Sequence, residues 1–128
     1  MNYMFKSTNL LVVPDLNTSK CTDLSGTFLD CGSLLYADLS NWTLSKAIHV
    51  SDMFDSCKRV STIILPKGLR PKYAGDMFNN CNALTQVNIK DIDFSQCIDM
   101  SYAFASCYGL TVIPSLDTGR CNNLDGIF

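Results

Sequence analysis

Six phenylalanines set the frame of this 128-residue chain: Phe5, Phe28, Phe54, Phe78, Phe104 and Phe128, separated by 23, 26, 24, 26 and 24 residues. An anchor that recurs at a nearly constant period above twenty residues marks a repeat architecture. The surroundings of each anchor recur as well. Four residues before it stand Met1, Leu24, Val50, Ala74, Met100 and Leu124. Three after it stand Thr8, Cys31, Cys57, Cys81 and Cys107, and six after it Leu11, Leu34, Val60, Leu84 and Leu110. The segments LLVVPDLNTSKCTDLSGTF and LTVIPSLDTGRCNNLDGIF align at an offset of 100 residues.

The unit has a readable local structure. Apolar positions at −4, −1, 0 and +3 about each anchor follow the i, i+3, i+4, i+7 rule of one helical face. This predicts about two helical turns, or a 3₁₀ equivalent, over VSDMFDSC (50–57) and AGDMFNNC (74–81), with Asp52 and Asp76 as caps. Farther on, apolar residues fall at +9 and +11, as in Ile63 and Leu65 or Val87 and Ile89, the two-residue period of a strand. The stretches 40–46, 66–72 and 116–120 are turn-rich.

One unit buries too few side chains to offset the entropy of ordering its own backbone. Stacking removes that deficit by burying both faces of each coil. The expected fold is therefore α/β, a leucine-rich-repeat-like solenoid with one short parallel strand and a short helix or 3₁₀ turn per coil. It forms a single domain over 1–128 of about five coils, with a sixth beginning at Phe128. At ~4.8 Å per strand, five coils make a rod about 24 Å long. Neither end shows a polar capping repeat, so the expectation is a segment of a longer protein, or ends covered by other subunits or further repeats.

The units MFDSCKRVSTIILP, MFNNCNALTQVNI and AFASCYGLTVIP resemble the leucine-rich repeats of the BspA-like bacterial surface proteins. The stretch LSNWTLSKAIHVSDMF is similar to the phrase that links and anchors repeats in that family. The resemblance runs through all 128 residues. It implies a strand on the concave side, a short helix or turn on the convex side, and an extracellular or cell-surface adhesin. Similar repeats in some phage structural proteins imply an alternative: a virion component of tail or capsid decoration, or a spacer in a larger assembly. Two features depart from the family pattern, Thr8 at the first Cys position and PKGLRPKYA over 66–74 in place of a polar linker.

Seven cysteines raise the question of metal or disulfides. Zinc sites use closely spaced pairs, whereas Cys21/Cys31 and Cys97/Cys107 are ten residues apart. No metal site is expected. Cys31, Cys57, Cys81 and Cys107 share one repeat position and form a ladder; Cys21, Cys97 and Cys121 form a second, broken one. Parallel Cβ vectors make poor bridges between rungs, so these residues read as free thiols filling the core.

Catalysis finds no footing. The single histidine, His49, lies in a turn position and reads as solvent-facing, with no assignable nucleophile and orienting group. Asp52, Asp55, Asp76, Asp91 and Asp93 form no calcium loop, and neither a P-loop nor a dinucleotide glycine pattern occurs. No enzyme activity and no cofactor are expected. Net charge is −2, and the ten basic residues are scattered along the chain, which speaks against nucleic acid as a partner. No stretch reaches the ~18 apolar residues of a membrane span, and the first residues lack the signal-peptide pattern.

Binding is the expected role. Outward strand positions at +8 and +10 align across coils: Tyr36 and Asp38, Thr62 and Ile64, Gln86 and Asn88. Their mixture of aromatic, aliphatic and amide groups suits a protein or glycan ligand. Trp42 reads as a packing residue between coils.

Overall fold

The structure, a computed structural model, describes residues 1–113 and 115–128. Pro114, which ends the AFASCYGLTVIP phrase, lies outside the described residues. Three short strands, β1 (Tyr36–Asp38), β2 (Thr62–Ile64) and β3 (Gln86–Val87), form a parallel sheet in the order β1-β2-β3. Their register pairs Tyr36 with Thr62 and Thr62 with Gln86, and Ala37 with Ile63 and Ile63 with Val87. Ala37 and Ile63 point inward and are fully buried, as the two-residue period requires.

A second line of contact joins the units. Parallel bridges run from Asp23 to His49, Tyr73, Asp99 and Asn123, each five residues before an anchor. Beside them the amides of Ile48, Lys72, Ile98 and Asn122 donate to the carbonyls of Thr22, Ile48, Lys72 and Ile98. Every repeat is thus held to its neighbour by backbone bonds on this edge.

The anchor segments make the third line, and here the structure corrects the helical expectation. Residues 50–57 and 74–81 are runs of tight turns. In the first run, Met53, Asp55 and Cys57 donate amides three residues back, to Val50, Asp52 and Phe54. The alternate amides of Val50, Asp52, Phe54 and Ser56 donate to Tyr73, Gly75, Met77 and Asn79 of the next repeat. A helix would spend every amide internally; here half of them stitch the stack together. The apolar pattern is satisfied either way, because Val50, Met53, Phe54 and Cys57 all face the core.

This alternation demands left-handed backbone at every fourth residue. Positive φ occurs two before and two after the anchors: Asp52 and Ser56, Asp76 and Asn80, Tyr102 and Ser106. Short polar side chains and glycine tolerate that region best. Asp52 and Asp76 are therefore turn residues rather than helix caps. The one 3₁₀ turn among the described residues, Ile89–Asp91, follows β3 and lies away from the anchors. All twelve acidic residues are aspartates, and five close Asx turns with the amide two residues on: Asp23, Asp38, Asp93, Asp99 and Asp117. Glutamate, one methylene longer, suits this turn poorly.

The core is a column. Adjacent anchor rings stack from Phe5 to Phe128 with centroids 5.7, 5.1, 6.1, 5.3 and 6.1 Å apart. Trp42 packs on Phe28 at 5.7 Å, and its indole N–H donates to the Pro14 carbonyl of the preceding coil at 3.0 Å. In the first repeat the count from the anchor slips by one. Leu10 and Val13 pack on the core, while Leu11 is 68% exposed. Phe5 is followed by one residue fewer before its strand region, so Leu10 takes the place that Leu110 fills after Phe104.

Candidate functional site

The six strand-face residues do not act alike. Tyr36 is half exposed, Gln86 is exposed, and Thr62 and Ile64 are partly covered. Tyr36, Thr62 and Gln86 share one row, and Asp38 and Ile64 begin the next. Asn88 lies outside β3, and its amide is spent on the backbone. Its Oδ1 accepts from the Leu65 amide at 2.7 Å, and its Nδ2 donates to the Leu65 carbonyl at 2.9 Å. A side chain here replaces the strand bonds that end at Val87. Asp38 is held below the ordinary carboxylate range by hydrogen bonds from Ser40, so it presents a negative charge at the sheet edge.

Beside β2 and β3 lies an open groove of ≈ 360 Å³, lined by Thr62, Ile64, Thr85, Gln86, Leu110 and Val112 among others. The two-residue count named Thr62, Ile64 and Gln86 but missed Thr85, Leu110 and Val112. Carrying the +8 count on to Phe104 reaches Val112, so the signal was present for that residue.

The thiols are occupied. Cys31, Cys57, Cys81 and Cys107 donate Sγ–H to the carbonyls of Phe5, Phe28, Phe54 and Phe78 in the preceding coil, at 3.0–3.1 Å. Burial pushes Cys57 up to about 12 and Cys107 up to about 11, and raises Cys31 and Cys81 as well. These groups stay protonated at neutral pH and serve as donors, not nucleophiles. They are thus more specific than apolar filler: the small side chain also satisfies the anchor's carbonyl. Thr8 does the same for Phe5 within its own coil, through a 2.8 Å bond. In the second ladder Cys121 donates to the Cys97 carbonyl at 3.3 Å.

His49 is exposed and stacks on Tyr73, with centroids 4.6 Å apart and planes 3° from parallel. Among the described residues no three His, Cys or Asp side chains converge as metal ligands. Asp52 and Asp76 are raised, first by burial and then by like charge, from Asp76 and Asp55 on Asp52 and from Asp55 on Asp76. A raised carboxyl favours folding at low pH, and that contribution fades as pH climbs through its folded-state value. Asp52→Asn, which removes the charge and tolerates φ +56°, is expected to add roughly 0.5 kcal/mol at pH 7. The gain should vanish in acid, below the ordinary carboxylate range. Urea titrations of both proteins at several pH values check this; a gain independent of pH would refute it.

The repeating turn-and-strand unit has a counterpart among known families. A family model described as "Mycoplasma protein of unknown function, DUF285" matches residues 1–65 and 72–128. The chain belongs to the DUF285 family. The DUF285 match leaves out 66–71, the PKGLRP turn that also departs from the repeat pattern. No curated protein and no solved structure matches the chain.

Proposed function

We propose that this DUF285 chain is a leucine-rich-repeat-like solenoid of the BspA-like kind, acting as a non-enzymatic recognition module at a cell surface. Its ligand is a protein or a glycan, held on the outer face of the parallel sheet. One observation carries the reading: Tyr36, Thr62 and Gln86 stand in register on neighbouring strands, and Thr62 and Gln86 line an open groove of ≈ 360 Å³. A flat row of this kind presents one side chain per coil to an extended partner. Protonated, hydrogen-bonded thiols and a histidine stacked on Tyr73 also favour binding over catalysis.

The test is a glycan and matrix-protein array probed with the wild-type chain and with Tyr36→Ala and Gln86→Ala. A ligand captured by the wild type should lose at least about tenfold in affinity on Tyr36→Ala, the effect of removing an interface aromatic. Unfolding midpoints should stay within about 0.5 kcal/mol of wild type. Capture that is indifferent to both substitutions would overturn the strand face as the site.

A further inference from the structure

Four of the ten cations that look scattered along the chain fall into one file across it. Eight residues before successive anchors stand Lys20, Lys46, Arg70, Gln96 and Arg120, and all five are exposed. Four of them occupy the third place of the same turn. Cys21, Ala47, Cys97 and Cys121 each donate an amide three residues back, closing that turn around Lys20, Lys46, Gln96 and Arg120. The register is direct: the Arg120 guanidinium donates to the Gln96 side chain at 2.9 Å. Backbone bonds two residues on bind every coil to the next, so the file advances by about 4.8 Å per coil.

Like charges set one above another destabilise a sheet, and little in the fold relieves them. Arg70 pairs with Asp93 at 3.2 Å. Lys20, Lys46 and Arg120 have no ion pair among the described residues. The file is also narrow. Asp23 and Asp99 border it three residues to one side, Asp93 and Asp117 three to the other, and only at the Arg70 coil do Lys67 and Lys72 widen it.

We infer that this edge binds a linear acidic polysaccharide, laid along the stack with its carboxylates or sulfates on the cation file. A strip one cation wide in most coils, edged by aspartates at several of them and widened by Lys67 and Lys72 beside Arg70, suits a single anionic chain better than a broad anionic surface. Serines next to the file, at Ser19, Ser45 and Ser95, place hydroxyls beside cations, a pairing suited to sugar rings. Single-stranded nucleic acid calls for free aromatic faces on which bases stack. The rings nearest the file, His49 and Tyr73, cover one another. The inference rests on the reading of the chain as a binding module but uses a different edge from the strand face.

Heparin and polygalacturonate serve as probes, with poly(dT) as the competing polyanion, measured by surface plasmon resonance on the whole chain. Heparin or polygalacturonate is expected to bind, losing at least about tenfold in affinity as salt rises from roughly 50 to 200 mM. The Lys20→Glu/Lys46→Glu/Arg120→Glu variant should lose at least about tenfold more than Lys6→Glu/Lys58→Glu/Lys90→Glu, which changes net charge equally at exposed sites off the file. Matching circular dichroism and unfolding midpoints establish that both variants are folded. No binding of either glycan at low salt, equal losses in the two variants, or tighter binding of poly(dT) would each overturn the inference. Array ligands that depend on Tyr36 would survive that failure and keep the strand face in place.

Discussion

Phe54→Ala is expected to cost about 3–5 kcal/mol, the range for emptying a buried aromatic site. The Phe54 side chain is fully buried between Phe28 at 5.1 Å and Phe78 at 6.1 Å. Its loss leaves a hole on both sides at the middle of the column, where each coil depends on its neighbours. Phe128→Ala provides the contrast, since that ring is 67% exposed and stacks on Phe104 alone among the anchor rings. Its cost should be on the order of 1 kcal/mol. Urea unfolding followed by Trp42 fluorescence measures both, and equal costs would contradict a column whose strength lies at its centre.

Gly109→Ala should also be severe, for a different reason. A Cβ at Gly109 would lie 2.5 Å from the Leu84 carbonyl oxygen and 3.0 Å from its carbon. Both atoms belong to the backbone of the preceding coil and cannot swing aside, so coil must part from coil. The expected loss is about 1–3 kcal/mol or more. Gly26 makes an instructive comparison. Its added Cβ would strike the Tyr3 ring, a half-exposed side chain that can yield, so the cost there comes mainly from its positive φ. Gly32 has nothing within 4 Å, and Gly32→Ala should be close to neutral. Thermal melts of the three variants give the ranking, and a harmless Gly109→Ala would mean that coils four and five are not in backbone contact.

Much of this arrangement was legible in the anchors. A period carried by phenylalanine survives insertion in the turns, because a large ring must meet the ring below it while loop residues need not. The two-residue spacing at Ile63 and Leu65 likewise located β2. The turn runs were not legible as such. Burial at −4, −1, 0 and +3 reports which side chains face inward, and a helix and a run of tight turns meet that condition equally. The distinction lies in the amides, half of which leave their own coil. Asp52, Asp76 and Asn80 carried a hint, since residues of this kind tolerate left-handed backbone better than a helix interior. Asn88 fits an outward strand position by count, and only the Leu65 contacts show its amide to be committed.

The cation file is not legible along the sequence. Runs of basic residues along the chain are short, whereas the file takes one residue from each repeat and crosses the chain. The slip at Leu11 has the opposite cause: a count from Phe5 assumes an equal loop, and the first loop is one residue shorter. Periodicity locates the walls of such a molecule, whereas the lengths of its corners emerge only when coils are laid on one another.

The amides that leave their own coil also give the molecule a mechanical grain. They lie along the stacking direction at the anchor turns, at the −5 edge and in the sheet. A pull applied to the two ends along that direction meets one coil-to-coil junction after another, so the chain yields by peeling single coils from an end and lengthens in steps of one repeat. A pull across it loads the bonds of several junctions at once and meets far greater resistance. The fold is thus expected to give more readily along its stacking direction than across it.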